Sequence, residues 1–330
     1  MAEFGQAFTS QMVVSSFEND QWSTADVKPI GPFSFHPATH VLHYSSTCFE
    51  GLKAYRWADG SIHLFRHHDN ISRLRASAAS LCLPVPPAEL IEEAIINAVK
   101  AVTDEIPDLP GALYIRPTLI GTELNIGAAG RGSKNALLYV ITSPVGDYFS
   151  GGVRPLKLLI DDENMRSTPK FGQVKTGGNY AASLVSVTSA RAEYQADQVL
   201  FCPGGQVQET GAANFMILRG NDLITKKLDG SILPGITRNS ILKLGADMGY
   251  QVHEIDFTVD ELLNWLPDSE AFLSGTAAVL SPVGSVVYQG VGHTVGNGEV
   301  GERSMQLKQA LTSIQHGKQE DRWHWTSLVA

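Results

Sequence analysis

Lys175 lies in Val174-Lys175-Thr176-Gly177-Gly178-Asn179-Tyr180, with an apolar residue before it and two glycines after. Glycines let backbone crowd close to a bound group, and a lysine held in such a spot can be desolvated. Desolvation disfavours the ammonium form and makes the amine usable as a nucleophile toward an aldehyde. Gly235-Ile236-Thr237 directly precedes a helical pattern running to Met248. A helix N-terminus offers unpaired N–H groups and the positive end of a dipole, so with the Thr237 hydroxyl this is the composition of a phosphate cradle. Ser274-Gly275-Thr276-Ala277-Ala278 is a second small-residue turn suited to an anion. Each stretch also has an ordinary reading: a surface lysine, a capped helix, a tight connection. Neither turn is a Walker A loop, and Gly204-Gly205 is not a dinucleotide-binding glycine pattern.

Other polar residues are weaker signals. Glu209 ends a strand-like run before Thr210-Gly211, where a lone carboxylate is ordinarily solvated. Arg73 stands beside Leu74 on a helical pattern and reads as a helix-face charge. Arg116 sits inside the apolar run Leu113-Tyr114-Ile115-Arg116-Pro117, and a buried guanidinium needs an anionic partner. His67-His68 has no third ligand at metal spacing, so both read as surface residues and no metal is expected. The His43-Tyr44 pair, ahead of the Phe49-Glu50-Gly51 turn, is ambiguous.

Elements must position these groups. His63-Leu64-Phe65 reads as a strand; Ile71, Leu74, Ala78 and Leu81 then recur at helical spacing, with Asp69 or Asn70 as the cap. Pro86-Pro87 opens an amphipathic helix through Leu90, Ile91, Ala94, Ile95, Ala98, Val99 and Val102. Strands over 112–120 and 136–142 flank a Gly-rich loop. Residues 144–155, rich in Gly, Ser and Pro, read as a linker. Beyond it come a strand over 156–160, a helix over 180–194, a hairpin of 199–202 with 206–210, and a second hairpin at Gly220-Asn221. A helix over 237–248 and a strand at Phe272-Leu273 follow.

The chain has 330 residues, enough for large cores and two domains. Lys and Arg number 25 against 34 Asp and Glu, a net charge of −9, which excludes general attraction to nucleic acid or anionic lipid. No uncharged apolar run can span a bilayer, and the N-terminus has no secretory or transit pattern. Cys48, Cys82 and Cys202 cannot all pair, which points to a reducing compartment.

The fragments stand in a telling order. The stretches His43-Tyr44, Phe49-Glu50-Gly51-Leu52-Lys53-Ala54-Tyr55, Leu64-Phe65-Arg66, Tyr114-Ile115-Arg116-Pro117, Lys175-Thr176-Gly177-Gly178-Asn179-Tyr180, Gln208-Glu209-Thr210-Gly211, Leu233-Pro234-Gly235-Ile236-Thr237-Arg238 and Ser274-Gly275-Thr276-Ala277 resemble a branched-chain amino acid aminotransferase of fold type IV, from about Phe4 to Trp323. That resemblance implies an α+β fold of two α/β domains: a small one over 1–145, a linker over 146–154, and a larger pyridoxal-phosphate-binding one over 155–330, with the cofactor between them. It implies pyridoxal 5'-phosphate carried on Lys175, Glu209 against the ring nitrogen, Tyr180 near the phenolic oxygen and Leu233 against the ring. Arg73, Ile236, Thr237 and Thr276 match the phosphate-binding set. Phe49, Tyr114, Tyr148 and Ala277 match the substrate pocket, with Thr276 and Ala277 backbone on the α-carboxylate and Arg116 on the side-chain carboxylate of glutamate. Tyr44 and Ile126 match residues lent by the second subunit of a homodimer.

The implied reaction is ping-pong amino transfer between L-leucine, L-isoleucine or L-valine and 2-oxoglutarate, in the cytoplasm, with no nucleic-acid or membrane partner. Rivals on the same scaffold are a D-amino acid or amine transaminase, a lyase acting on an aminated chorismate, and a non-catalytic binding protein. In one respect the chain departs from mitochondrial-type members, which often carry Cys-x-x-Cys after the Gly-Thr-Ala turn. Here the stretch reads Ala278-Val279-Leu280-Ser281, so thiol regulation there is not expected.

Overall fold

The computed structural model describes residues 5–127, 130–146 and 152–330. They form an α+β fold of two units. One comprises Met1–Tyr148, Val174–Gly177 and Ile314–Ala330; the other comprises Phe149–Gln173 and Gly178–Ser313. The first unit thus takes up two short segments, 174–177 and 314–330, from beyond residue 155. The reason is strand pairing: Thr326–Leu328 lies antiparallel on Ile62–Phe65, and Thr176 bridges to Cys48.

In the first unit an antiparallel sheet of nine strands, counted among the described residues, runs in the order Thr326–Leu328, Ile62–Phe65, Leu52–Arg56, Ala112–Gly121, Ala136–Val145, Gln11–Glu18, Gln21–Trp22. Asp26–Pro29 and Thr47–Phe49 pair at its sides. Helices His67–Ser80 and Ala88–Lys100 supply Ile71, Leu74, Ala78, Ile91, Ala94, Ile95, Ala98 and Val99 to one core with Leu52, Leu64, Leu113 and Ile115. Their apolar positions recur every three or four residues, and burying that stripe is what holds such helices in place.

The 67–80 helix starts earlier than its pattern suggests. Its N-cap is Arg66 in the left-handed region, and no side chain caps it. Asn70 cannot serve, because its amide points into the unit and donates to Glu50.

The second unit carries a mixed sheet, eight strands among the described residues: seven in the order Gln198–Phe201, Leu156–Asp161, Val279–Tyr288, Ser269–Gly275, Asn214–Arg219, Asp222–Lys226, Gln251–Ile255, and Val291–Thr294 paired antiparallel on Val279–Tyr288. The turn at Gly220-Asn221 joins an antiparallel pair as expected. The expected hairpin of 199–202 with 206–210 does not form as a ladder. Gln198–Phe201 instead pairs parallel with Leu156–Asp161, and its contact with 206–210 is limited to a bridge between Leu200 and Thr210 and the backbone bonds of Phe201 to Gln208 and Glu209. Val199, Leu200 and Phe201 are fully buried, and an apolar run buried on both faces suits parallel pairing with a strand remote in the chain, which a neighbouring-strand pattern cannot reveal. No helix among the described residues is long and apolar enough to cross a membrane.

Leu74 is fully buried in the core of the first unit. Leu74→Ala should lower unfolding free energy in urea by about 2–5 kcal/mol, the usual range for such a cavity. A loss below about 1 kcal/mol would show that this helix is not held by its core face.

Candidate active site

Glu50 has no solvent exposure. Arg73 grips it with both ends of its fork, Nε to Oε1 at 2.7 Å and Nη2 to Oε2 at 2.8 Å. Asn70 Nδ2 donates to Oε2 at 2.7 Å and the Gly51 N–H to the same oxygen at 3.2 Å. Asn70 and Arg73 come from adjacent turns of one helix, so a single element delivers both donors. Burial alone would raise the Glu50 pKa; the charge and hydrogen bonds of Arg73, the charge of Lys175 and the Asn70 bond outweigh it and hold the carboxyl below its ordinary value.

Lys175 belongs to the same unit and is pinned by its main chain. Its N–H donates to Ser77 Oγ at 3.1 Å, its carbonyl accepts from the Phe49 N–H at 3.1 Å, and Thr176 Oγ1 donates to the Thr47 carbonyl at 2.7 Å. The ammonium stands 5.0 Å from the centre of the Phe49 ring. Arg116 stacks on the same ring at 4.6 Å and donates to the Tyr114 hydroxyl at 2.8 Å. Tyr114 can occupy this place only because residue 51 is glycine: a Cβ there would lie 2.1 Å from the hydroxyl. Among the described residues no carboxylate pairs with Arg116, and its buried Nε lacks a hydrogen-bond partner. Tyr44 donates its hydroxyl to the Ile126 carbonyl, so these two stand together. Tyr148 lies outside the described residues.

In the second unit Glu209 is likewise buried. Arg166 Nη2 lies 2.6 Å from Oε1, the Leu233 N–H donates to Oε1 at 2.9 Å, and Asn214 Nδ2 donates to Oε2 at 2.7 Å. The reading of Glu209 as solvated is corrected by this burial. Asn214 also holds the Leu233 carbonyl at 2.9 Å, which fixes the chain entering Pro234-Gly235. A Cβ at Gly235 would lie 2.0 Å from Asn214 Oδ1. Helix Ile236–Asp247 then starts with extended Gly235 as its N-cap and buried Thr237 in its first turn. Thr276 and Ala277 form the half-buried turn after strand Ser269–Gly275, and Ser274 Oγ is buried without a hydrogen-bond partner among the described residues. Tyr180 is half-buried in the first turn of helix Gly177–Tyr194.

A buried acidic residue held by an arginine and two further donors, a helix start with glycine at its cap and an orphan hydroxyl suit an aromatic cationic ring bearing a phosphate. The residues present therefore fit pyridoxal 5'-phosphate. Glu50, Asn70, Ser77, Arg166 and Asn214 escaped the sequence reading. Asn70 and Ser77 share a helix face with Leu74, and a polar residue on an apolar stripe is the signal that could have found them. Arg166 lies in a stretch without periodicity and left none.

The amino-transferase class IV family signature matches residues 47–286, and the chain belongs to that family. It is 39% identical to the branched-chain-amino-acid aminotransferase 2 of Bacillus subtilis, over 99% of this chain and 92% of that protein. Among solved structures it is similar to the branched-chain amino acid aminotransferase of Escherichia coli, 26% identical with a TM-score of 0.80, over 98% of this chain and 100% of that one. The branched-chain aminotransferase of the thermophilic archaeon Thermoproteus uzoniensis, crystallised with norvaline, is 26% identical with a TM-score of 0.79, over 97% and 100% of the two chains. A further solved branched-chain amino acid aminotransferase, this one with pyridoxamine 5'-phosphate, is 25% identical with a TM-score of 0.81 over 98% and 100% of the two chains.

The Glu50 pair has a pH signature. A carboxyl whose folded pKa is depressed stabilises the fold fully above its ordinary value of 4.5, and that contribution is lost as pH falls through the lower folded value. Glu50→Gln leaves Arg73 buried without its counter-charge and should cost about 3–5 kcal/mol near neutral pH. In urea titrations the gap to the parent should narrow as pH drops below 4.5. A gap that does not change with pH would refute the assignment.

Proposed function

We propose that the chain is a branched-chain amino acid aminotransferase, moving the amino group between L-leucine, L-isoleucine or L-valine and 2-oxoglutarate by a ping-pong route. The observation that carries this reading is the 39% identity to a protein of that name across nearly the whole chain. The residue placements above support it.

Pyridoxal 5'-phosphate, when bound, supplies the electron sink that acidifies the substrate Cα–H. Lys175 Nζ would hold the cofactor covalently and, as a free amine, would move the substrate Cα proton as general base and acid. Glu209, held by Arg166, Asn214 and the Leu233 N–H, would stand against the ring nitrogen and favour its protonated form. Leu233 would pack on the ring, and Tyr180 would donate toward its phenolic oxygen. Ile236 and Thr237 at the helix start, Thr276 in its turn, and Arg73 would hold the phosphate. Glu50 keeps the Arg73 fork in one orientation. Phe49, Tyr114, Tyr148 and Ala277 would supply apolar surface for aliphatic side chains, while the Thr276 and Ala277 backbone would take the α-carboxylate. A hydrophobic pocket separates one methylene from the next by only about 1–3 kcal/mol, so breadth among aliphatic substrates follows.

Tyr44 and Ile126 complete the pocket of a second copy in a homodimer. The exposed Leu42, Leu124 and Ile126 beside Tyr44 support this, since clustered apolar surface marks an interface. We place the domain boundary in the 146–154 linker and the enzyme in the cytoplasm, where buried Cys48 and Cys202 and exposed Cys82 persist as thiols.

L-leucine and D-leucine, given separately with 2-oxoglutarate, decide the substrate class: only the L form should turn over. Lys175→Ala should abolish the visible cofactor absorbance and lower turnover by about 10³-fold or more, general acid–base catalysis alone supplying 10²–10⁴. Preference for D-leucine, or undiminished turnover in the variant, would overturn the proposal.

Arg116 meets no protein carboxylate among the described residues and so is left for a substrate's. Arg116→Leu should raise KM for 2-oxoglutarate about 10–100-fold, the worth of a charge-assisted hydrogen bond, with a much smaller change for leucine. Equal effects on both substrates would reject this role.

A further inference from the structure

His67 and His68 are not a pair of surface residues. His67 is buried, and a third polar side chain, Glu92 of helix Ala88–Lys100, reaches both rings. His67 Nε2 lies 3.2 Å from Glu92 Oε1, and His68 Nδ1 lies 3.8 Å from the same oxygen. The three atoms all fall within 4.8 Å of one another. The two imidazole rings stand 3.9 Å apart, centre to centre.

We propose that His67 Nε2, His68 Nδ1 and Glu92 Oε1 bind one divalent cation of the zinc class, with solvent at the fourth position. Tetrahedral zinc with bonds of about 2.0–2.2 Å sets neighbouring ligand atoms about 3.3 Å apart. One pair already stands at that spacing. The other contacts close by turning His68, whose side chain is 68% exposed and so free to move.

The ligand chemistry selects the ion. Two imidazoles and one carboxylate suit zinc, copper or nickel, whereas calcium and magnesium take oxygen ligands. A plain histidine–glutamate hydrogen bond would need only one ring and gives no reason for a second ring nitrogen near the same oxygen. His67 Nδ1 is buried without a partner among the described residues. It stays unmatched whether Nε2 faces a carboxylate or a cation, so it does not oppose binding.

The site ties two helices that are otherwise joined by apolar packing, and one of them carries Asn70, Arg73 and Ser77. A cation bound only by the folded chain stabilises it by mass action. The inference does not depend on the proposed activity.

The test uses the tag-free holoenzyme, stripped with a chelator and equilibrated with Zn²⁺ alone. Metal content by mass spectrometry should approach one ion per chain, and the unfolding temperature should rise with Zn²⁺ concentration. His68→Ala and Glu92→Gln alter side chains at the surface and should each weaken uptake about tenfold or more while the metal-free transaminase rate stays unchanged. Co²⁺ gives an independent readout, since a tetrahedral nitrogen–oxygen site produces a visible spectrum that both variants should lose. No stoichiometric uptake, or uptake undiminished in both variants, would overturn the proposal.

Discussion

A carboxylate removed from water must be surrounded by donors, and this chain does that twice. Glu50 is enclosed by an arginine fork, an asparagine amide and a backbone N–H. Glu209 is enclosed by an arginine, an asparagine amide and a backbone N–H as well, in the other unit. Uncompensated burial of either charge would cost more than a typical domain's entire stability margin. The enclosing residues are therefore as constrained as the carboxylates themselves. Much local structure follows from that: the inward turn of Asn70, the path of the chain past Leu233, and the glycines at 51 and 235, where a side chain would strike Tyr114 or Asn214.

The two carboxylates serve different ends in the proposed mechanism. Glu50 orients a cation, and by lying near Lys175 it adds negative potential at an amine that must alternate between charged and neutral forms. Glu209, in that proposal, would face the cofactor ring and favour protonation of its nitrogen. The same triad of donor types thus stabilises one group that positions and another that polarises. Buried ion pairs are poor sources of net stability compared with apolar packing, so their presence here is better understood as functional orientation.

Much of this was legible in the sequence. The motif order disclosed the family, and Lys175, the helix start at Gly235-Ile236-Thr237 and the Ser274–Ala278 turn all stood out by composition. What was hidden depended on contacts between segments remote in the chain. Asn70 looked like a cap because local propensity favours it there; a tertiary hydrogen bond claimed it instead. Residues 206–210 looked like half of a hairpin, whereas 198–201 found its partner in the distant strand 156–161. His67 and His68 lacked a third ligand only as long as Glu92, a whole helix away, was out of view. Arg166 had no pattern around it to mark it.

The last strand of the first sheet is residues 326–328, with hydrogen bonds continuing to Ala330. During synthesis, the strands before residue 145 emerge first, but the sheet cannot seal its outer edge until residues 326–330 have been made. Until then, Ile62–Phe65 presents open backbone donors and acceptors to whatever is nearby, the condition under which nascent chains pair wrongly or recruit chaperones. Translation order and folding order are thereby uncoupled in this protein: the first half made is the last half finished.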